Sequence, residues 1–319
     1  MLRNKKILFL GSMIYEYYLH IIDEMENKGA NVIFFPVKRK NILTTILQNI
    51  SVSLYELYQN RYRKNILKKT EHISFDYIFV IEPYLLSIKF FEKLKIQNKT
   101  SFFINYNWDS TVDYPILNYV HFFDKVFTFE QNDVLKYKMN YLPLFFIRKY
   151  EQIAKNKKHN KTIDVLFIGG YKKERYDFLQ LIESKLKEEG FSVLFYVRMS
   201  FNRYLKYILK GKIIKHIKIK TLNSNKVAFL MSKSRCMIDY PKVTQTGLTM
   251  RTFETLGSGL KLITTNKTIL NEQLLQDNIL VVSPKNPLIS NEFIKTKFKT
   301  DKLIQKYSLS NWILEIFKD

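Results

Sequence analysis

The sequence has little of the residue types on which disulfide-rich and metal-binding proteins depend. Its 319 residues include one cysteine, Cys236, and 5 histidines. A single cysteine excludes an internal disulfide framework and fits a reducing compartment, so the expected location is cytoplasmic. The histidines are scattered and Cys236 has no second cysteine with which to share a metal, so we expect no zinc site.

Long apolar runs are also missing. No stretch approaches the roughly 20 consecutive apolar residues that a membrane-spanning helix needs. A basic segment, 1–6, leads into the apolar run Ile7–Leu10. That run ends within a few residues and no small-residue cleavage site follows, so it predicts a buried first strand rather than a signal peptide. We expect a protein that is soluble or peripheral to a membrane.

Negative charge is scarce relative to positive charge. The chain has 52 lysine and arginine residues against 29 aspartate and glutamate residues, which gives a formal net charge of +23. Such an excess favours an anionic partner, and nucleic acid, an anionic membrane surface and phosphorylated small molecules all qualify. The chain is also rich in asparagine and isoleucine, so the base composition of its gene is an alternative explanation for the lysine content.

Apolar runs of strand length alternate with amphipathic stretches through most of the chain, which is typical of β-α units around parallel sheets. Two series of strands are predicted. The first is Lys6–Leu10, Asn31–Phe35, Tyr77–Ile81, Ser101–Asn105 and Lys125–Phe129; the second is Ile163–Ile168, Ser192–Val197, Ile217–Ile219, Cys236–Tyr240, Lys261–Thr264 and Ile279–Val282. The predicted fold class is therefore α/β, with two Rossmann-like, doubly wound domains.

The predicted domains cover 1–145 and 163–305, joined by a linker at 146–162 whose polar tail lacks periodicity. The last residues, 306–319, are predicted to form a helix that packs near the domain boundary. In open α/β sheets, ligands bind at the carboxyl ends of the strands. Two such sheets facing a common cleft would suit a reaction between two substrates.

Glycine is scarce too, and its distribution is uneven. Of the 9 glycines, Gly247, Gly257 and Gly259 all fall within Thr246–Thr264. This segment predicts a glycine turn, a helix that carries Glu254, a second glycine turn and an apolar strand. Backbone N–H groups at a helix N-terminus can receive phosphate, and a carboxylate one or two turns further along can accept ribose hydroxyls. The order suits a nucleotide-diphosphate site.

Several segments resemble the GT-B glycosyltransferases, in particular bacterial enzymes that build lipopolysaccharide or capsular polysaccharide. Asp164–Gly169 resembles the strand and turn that open the donor domain, and Gln245–Glu254 followed by Gly257–Gly259 resembles the donor-binding helix. Asn107–Ser110 and Tyr141–Leu144 resemble parts of the first domain and its exit. The resemblance implies a GT-B fold and transfer of a sugar from a nucleotide-activated donor to a cell-surface glycan precursor such as lipopolysaccharide, O-antigen or capsule.

The resemblance also implies roles for individual residues of the donor site. Glu254 would hold the ribose, and the backbone of Gly247–Thr249 would face the diphosphate. Arg251 and Arg175 are candidate phosphate partners, because a guanidinium can pair with two oxygens at once. The complete predicted donor-binding set is Gly169, Gly170, Arg175, Gln245, Thr246, Gly247, Leu248, Thr249, Arg251 and Glu254.

Two departures from family patterns limit the chemistry. Many retaining members carry a second glutamate eight positions before the ribose-binding one, and this chain has Thr246 there. The motif therefore does not support retaining transfer. The sequence also lacks the aspartate-rich DxD motif of metal-dependent transferases. We expect no metal and no cofactor, so positive charge and helix dipoles would stabilise the departing nucleotide diphosphate.

Three residues of the first domain are candidates for the base that deprotonates the acceptor hydroxyl. Asp109 follows a predicted strand beside Trp108, where apolar surroundings would raise the pKa of its carboxyl group. A loop or N-cap role is the alternative for Asp109. His20 and Glu82, which precedes Pro83, are the other candidates, and a packing or surface role is the alternative for His20.

The segment Leu43–Lys69 predicts one or two basic amphipathic helices. Apolar residues at helical spacing come first and basic residues gather at its end: Ile46, Leu47, Ile50, Leu54 and Leu57, then Arg61, Arg63, Lys64, Lys68 and Lys69. Such a segment can lie on an anionic bilayer. The alternative is a helix packed on the core with a solvated face.

The predicted partners are a nucleotide-sugar donor, a glycan or lipid-linked acceptor and an anionic membrane surface at the inner face of the cell membrane. Charge alone would favour a nucleic-acid-binding protein. The sequence contains no recognised nucleic-acid-binding motif, so nucleic acid is not an expected partner. A non-catalytic binding protein with the same fold is the other alternative.

Overall fold

A computed structural model describes residues 2–13, 16–156, 160–211, 214, 217–242, 244–274, 276–300 and 302–318. The chain divides into two compact units, Met1–Pro143 together with Trp312–Asp319, and Leu144–Asn311. Each unit contains one six-stranded sheet whose neighbouring strands pair in parallel. This architecture confirms the predicted α/β class with two doubly wound sheets.

The sheet of the first unit has the order β2-β1-β3-β4-β5-β6. Its strands are β1 (Lys6–Gly11), β2 (Asn31–Pro36), β3 (Tyr77–Ile81), β4 (Phe102–Asn107), β5 (Lys125–Thr128) and β6 (Asn140–Tyr141). Its helices are α1 (Tyr17–Asn27), α2 (Ile42–Ile50), α3 (Val52–Thr70), α4 (Ile88–Gln97) and α5 (Gln131–Tyr137), with 3-10 turns at Pro83–Leu85, Ile116–Asn118 and Val120–Phe122. Only the two-residue strand β6 has no counterpart among the strands predicted from sequence.

The strands β1, β3 and β4 in the middle of the first sheet are buried on both faces, which explains their nearly continuous apolar runs. Leu8 and Val80 belong to the core on one face. Phe9 follows Leu8 and Phe79 precedes Val80, so both phenylalanines point to the opposite face of the sheet. Their rings stack on each other with centroids 5.2 Å apart. Trp312 packs against Phe79 at 6.1 Å. The final residues of the chain therefore complete the core of the first unit.

The sheet of the second unit has the order β12-β11-β10-β7-β8-β9. Its strands are β7 (Ile163–Gly170), β8 (Val193–Arg198), β9 (Ile217–Lys218), β10 (Ser234–Asp239), β11 (Lys261–Thr264) and β12 (Ile279–Val281). Its helices are α6 (Arg148–Lys155), α7 (Lys173–Glu188), α8 (Phe201–Ile208), α9 (Ser224–Ser232), α10 (Met250–Gly257), α11 (Asn291–Lys295) and α12 (Leu309–Ile316), with 3-10 turns at Lys267–Asn271, Gln276–Asn278 and Lys302–Tyr307. The division between the units falls within α12.

The observed boundaries differ from the predicted ones. The segment predicted as a linker, 146–162, contains α6 and belongs to the second unit. The reason is packing, because Tyr150 on α6 is buried and Ala154 lies against the backbone of Gly259. The first unit ends at Pro143, and the final helix, predicted within 306–319, is shared between the two units.

Strand order locates the switch point of each sheet, where consecutive connections leave in opposite directions. In the first unit it lies between β1 and β3, and in the second between β7 and β10. Ligands of open α/β sheets bind outside the carboxyl ends of the strands at such points. The residues that follow these four strands are therefore the first to consider for function.

Candidate active site

The switch point of the first sheet carries a buried carboxyl group. Ser12 directly follows β1 and Glu82 directly follows β3. The hydroxyl group of Ser12 donates a hydrogen bond to Oε2 of Glu82. Glu82 is only 6% exposed. The topology thus delivers Glu82, one of the three predicted base candidates, to the expected ligand-binding edge.

A tyrosine connects Glu82 with a second candidate, Asp109, which follows β4. The hydroxyl group of Tyr84 lies 2.6 Å from Oδ2 of Asp109 and 3.5 Å from Oε1 of Glu82. The ring of Tyr84 stacks on Tyr114 with centroids 4.4 Å apart. We call Ser12, Glu82, Tyr84 and Asp109 the carboxylate cluster. It joins two residues that sequence reasoning proposed as separate alternatives.

Burial sets the electrostatics of the carboxylate cluster. It raises the pKa of Glu82, and the nearby charge of Asp109 raises that pKa further, while the hydroxyl groups of Ser12 and Tyr84 oppose the shift. Burial, together with the hydrogen bond to Asp109, raises the pKa of Tyr84 well above its usual value. Tyr84 therefore keeps its proton and acts as a donor. The pKa of Glu82 is thus shifted in the direction that favours a general base.

The backbone at Glu82 is strained. Its φ of 60° and ψ of 59° place it in the left-handed region, which residues other than glycine seldom adopt. Pro83 follows and begins a 3-10 turn. Backbone strain of this kind persists only where the surroundings enforce it, and it concentrates at functional sites.

A cavity of about 210 Å³ opens beside Glu82. Its lining consists of Ser12, Met13, Val37, Lys38, Lys40, Glu82 and Leu85. Two lysines thus share a cavity with a buried carboxyl group, and the positive charge of Lys40 acts on Glu82. We call this space the Glu82 cavity.

His20, the remaining base candidate, lies on α1 and is half-buried. It takes no part in the hydrogen bonds of Glu82 and Asp109 described above. The neighbouring Tyr17 on α1 meets Trp108 edge-on at 6.2 Å. The helix that carries His20 therefore reaches the loop that carries Asp109.

In the second unit, Asp239 at the end of β10 organises the start of α10. Its Oδ2 accepts hydrogen bonds from the hydroxyls of Thr249, at 2.6 Å, and Thr252, at 2.8 Å. Thr249 also caps α10 by accepting from the N–H of Thr252. Burial raises the pKa of Asp239, although both threonine hydroxyls and the charges of Arg251 and Arg175 oppose the shift. The N-terminus of α10 is thereby fixed to the switch point of the second sheet.

Glu254, the predicted ribose ligand, lies one turn into α10 and is 2% exposed. Its Oε2 lies 2.6 Å from Nη1 of Arg251, three residues earlier on the same helix. The two predicted donor ligands therefore form an ion pair with each other. A ribose hydroxyl that binds Glu254 has to share this carboxylate with Arg251 or replace it.

Arg175 connects the two strands that flank the switch point. From α7, its Nη1 donates to the carbonyl of Gly170 at 2.8 Å, and its Nε and Nη2 donate to the carbonyl of Tyr240 at 3.0 and 2.6 Å. These residues end β7 and follow β10. The guanidinium of Arg175 thus positions both strand ends.

Gly169, another predicted donor-site residue, has a packing role, because a Cβ atom there would lie 2.6 Å from the ring of Phe167.

Hydrogen bonds to its backbone carbonyl oxygens fix the loop before α10. The carbonyl of Thr246 accepts from the hydroxyl of Thr268 at 2.6 Å, and that of Gly247 accepts from Nδ2 of Asn266 at 3.2 Å and from Nε2 of Gln245 at 3.1 Å. Leu248 is buried. The predicted residues 245–249 are therefore brought together with Arg251 and Glu254 at one end of α10.

Sequence reasoning missed four residues that build these sites: Tyr84, Asp239, Asn266 and Thr268. Asp239 had a detectable signal, since it is a carboxylate at the end of an otherwise apolar strand. The other three act through long-range contacts that no local pattern reveals. Within the described ranges, no group of three or more histidine, cysteine, aspartate and glutamate residues is arranged to hold a metal ion.

Comparison with known proteins gives the fold. No family model matches the chain, and no curated protein matches its sequence. Among solved structures, it is similar to an alpha-glucosyltransferase in complex with UDP and a 13-mer DNA, with a TM-score of 0.61 and 12% identity over 98% of this chain and 96% of that one. It is also similar to the N-terminal domain of Candida albicans trehalose-6-phosphate phosphatase, with a TM-score of 0.60 and 12% identity over 99% and 97%.

A third similar structure is the lipopolysaccharide outer core galactosyltransferase WaaB, with a TM-score of 0.50 and 13% identity over 98% of this chain and 99% of that one. At these identities the similarity shows the fold. It confirms the GT-B fold that the sequence resemblance implied, over nearly the whole chain.

Proposed function

We propose that this protein is a glycosyltransferase that moves a sugar from a nucleotide-activated donor to an acceptor hydroxyl. The observation that carries the proposal is the buried carboxyl group of Glu82 at the switch point of the first sheet. Burial raises its pKa, as proton transfer from an acceptor hydroxyl requires. The fold, which is shared with an alpha-glucosyltransferase and a galactosyltransferase, supports the same reaction class.

The second unit would bind the donor. The N-terminus of α10 carries a partial positive charge, which suits a diphosphate. Thr249 caps the N–H of Thr252, so the N–H groups proposed to face the diphosphate are those that precede Thr252. Arg251 lies in the first turn of α10, paired with Glu254, and would turn its positive charge to the diphosphate once a ribose hydroxyl replaces it on that carboxylate. Glu254 would accept the ribose hydroxyls. Arg175 is engaged with two backbone carbonyls, so its proposed role is to position this loop rather than to grip phosphate.

The first unit would supply the base. Glu82 takes the proton of the acceptor hydroxyl while the acceptor oxygen forms a bond to the anomeric carbon of the donor sugar. The bond from that carbon to the nucleotide diphosphate breaks, and the diphosphate leaves with the electron pair. Of the two carboxyls in the cluster we assign the base to Glu82, because it lines the Glu82 cavity. Asp109 then acts through Tyr84.

We propose that transfer needs no metal. The negative charge that develops on the departing diphosphate would be stabilised by Arg251 and the N-terminus of α10. Activity in the presence of a metal chelator tests this part of the proposal. A strict requirement for a divalent cation would contradict it.

The proposed acceptor is a lipid-linked precursor of a surface glycan, such as lipopolysaccharide, O-antigen or capsule, at the cytoplasmic face of a membrane. Similarity in fold to a lipopolysaccharide galactosyltransferase supports this choice. The lysines of the Glu82 cavity support it as well, because they suit an acceptor with a phosphate group near its reactive hydroxyl.

A nucleic-acid acceptor is the second candidate. The net charge of +23 and the fold shared with a glucosyltransferase that was crystallised with DNA favour it. A mobility-shift assay with duplex DNA at moderate salt separates the candidates. Tight DNA binding would replace the glycan acceptor in the proposal and leave sugar transfer in place.

Calorimetry with a panel of nucleoside diphosphates and nucleotide sugars tests donor binding. We expect one nucleotide to bind, and Glu254→Ala to weaken it by about tenfold or more through loss of hydrogen bonds to the ribose. Glu188→Ala, an exposed glutamate at the end of α7, is the matched control. Binding without turnover of any nucleotide sugar would indicate a non-catalytic protein of this fold, and absence of all nucleotide binding would refute the proposal.

A further inference from the structure

Two consecutive helices of the first unit expose large apolar side chains. Seven such residues lie within 16 positions, with exposed fractions from 45% for Leu43 to 82% for Ile42: Ile42, Leu43, Ile46, Ile50, Val52, Leu54 and Leu57. Single exposed apolar residues are common on soluble proteins, but a contiguous group marks an interaction surface. We call this group the α2–α3 apolar face.

The face on α2 is a continuous stripe. At about 100° per residue, positions 42, 43, 46 and 50 lie within an arc of roughly 100°. Thr44, on the opposite side, is buried. Asn41 and Thr44 form a reciprocal capping box at the start of the helix. The helix therefore has a defined beginning and a defined orientation, with its apolar stripe outward.

On α3 the apolar residues continue into a row of cations. Leu54, Leu57, Arg61, Lys64 and Lys68 are spaced by three and four residues, so they share one side of the helix. All five are exposed. Apolar side chains thus occupy the first half of this side and basic side chains occupy the second half.

The opposite side of α3 anchors the helix to the unit. Gln59 exchanges two hydrogen bonds with the backbone of Arg39, at 3.0 and 3.1 Å. Arg63 donates to the carbonyl of Leu85 at 3.2 Å, and Ile66 is buried in the core. The alternative of a core-packed helix therefore holds for the second half of α3 only. It is wrong for Ile46, Ile50, Leu54 and Leu57, which point to solvent.

Charge indicates what covers this face. Between positions 38 and 69 one residue, Glu56, is acidic, and eight are basic: Lys38, Arg39, Lys40, Arg61, Arg63, Lys64, Lys68 and Lys69. A second copy of the chain would bring the same positive charge against it, which disfavours self-association through this face. The exposed apolar side chains and the neighbouring basic side chains together call for a partner with an apolar interior and an anionic surface. An anionic bilayer has that composition.

We infer that α2 and the beginning of α3 dock on an anionic bilayer, with the α2–α3 apolar face among the lipid acyl chains and Arg61, Lys64 and Lys68 on the headgroups. No helix within the described residues is long and apolar enough to cross a membrane, so the inference concerns attachment to one leaflet. It does not depend on sugar transfer. Under the proposed function, docking would bring the Glu82 cavity near the membrane and its lipid-linked acceptor, because Lys38 and Lys40 line that cavity and come just before α2.

Flotation with vesicles tests the apolar part of the inference. The chain should float with vesicles that contain phosphatidylglycerol and stay behind with vesicles of phosphatidylcholine alone. Ile46→Ser/Ile50→Ser/Leu57→Ser should weaken binding by at least about tenfold, because three inserted side chains are lost. The matched control, Val112→Ser/Leu135→Ser/Leu288→Ser, removes three apolar side chains elsewhere that are at least as exposed and should bind as the unchanged chain does.

A second pair of variants tests the cationic part. Arg61→Gln/Lys64→Gln/Lys68→Gln should weaken binding to phosphatidylglycerol vesicles by about tenfold or more and reduce its dependence on salt. Lys89→Gln/Lys93→Gln/Lys99→Gln removes three exposed charges from the region of α4 and should have a smaller effect.

Three results would overturn the inference. The first is equal binding to both kinds of vesicle. The second is a triple serine variant that binds as the unchanged chain does. The third is a dimer in solution that the triple serine variant converts to monomer, because that result would make a second copy the occupant of the face. Each variant remains assessable by its thermal unfolding, since all the substituted residues are exposed.

Discussion

The two units surround their buried candidate-site glutamates with different partners. Glu82 in the first unit is contacted by hydroxyl groups, those of Ser12 and Tyr84. Glu254 in the second unit is contacted by the guanidinium of Arg251 at 2.6 Å. Both side chains are buried to a similar degree, 6% and 2% exposed. The difference therefore lies in the chemistry of the partner rather than in the depth of burial.

This difference suits the two glutamates to different tasks. Hydroxyl groups offset the cost of burying a carboxylate only in part, so burial dominates and the pKa of Glu82 rises. A carboxyl group with a raised pKa takes up a proton more readily than an exposed one. The ion pair balances the charge of Glu254, which suits it to hold a ligand. Under the proposed function, the first unit would supply proton transfer and the second would hold the donor.

Glu82→Gln should have the largest effect on activity. The amide cannot accept the proton of the acceptor hydroxyl, so we expect the transfer rate to fall by about 10²–10⁴-fold. Donor affinity, measured by calorimetry, should stay unchanged. Glu71→Gln, an exposed glutamate of the first unit, is the control. A rate within a few-fold of the unchanged enzyme would show that the base lies elsewhere and would remove the contrast between the units.

The same substitution should increase stability. Because the pKa of Glu82 is raised in the folded chain, the protonated form favours folding, and this contribution is lost as pH rises through the folded pKa. Above that folded pKa the ionised side chain lowers the free energy of unfolding, and a neutral glutamine removes that cost. Thermal unfolding at pH 7 should show a higher Tm for Glu82→Gln and a smaller gain near pH 4.

Substitutions in the ion pair of the second unit should act on stability. Arg251→Met leaves the carboxylate of Glu254 buried without its cation, which typically costs about 3–5 kcal/mol. Glu254→Gln should cost less, because Arg251 is partly exposed and can reach water. The double variant Arg251→Met/Glu254→Gln should recover much of the loss, and denaturant unfolding of all four proteins measures the coupling. If the loss in the double variant equals the sum of the two single losses, Arg251 and Glu254 are not coupled. The contrast between an ion-paired Glu254 and a hydroxyl-bonded Glu82 would then be lost.

The sequence predicted the fold well because strands and turns are local. Among the residues that the structure describes, eleven of the twelve strands followed from apolar runs, and only β6, Asn140–Tyr141, was too short to detect. The end of a predicted strand also indicated Asp109, whereas Glu82 was a candidate ahead of Pro83. Local patterns could not show that Tyr84 joins them, since its orientation depends on the stacking against Tyr114. They also missed the helix α6, because its burial depends on contacts with distant residues.

The environment of Glu82 leads to a final prediction, which concerns the pH dependence of activity. The expected effect is smaller than those above, but its direction is specific. The charge of Asp109 raises the pKa of Glu82, whereas the hydroxyl of Tyr84 lowers it. If Glu82 is the base, activity falls as it becomes protonated at low pH. Asp109→Asn should therefore shift this acidic limb of the pH–rate profile to lower pH, and Tyr84→Phe should shift it to higher pH, each with rates reduced by about tenfold or less at the optimum. The kcat/KM profile of both variants measures the shifts.

Two outcomes would contradict this assignment. A loss of activity in Asp109→Asn as large as that expected for Glu82→Gln would make Asp109 the base. If both variants shifted the acidic limb of the pH–rate profile in the same direction, the carboxylate cluster would not govern that limb.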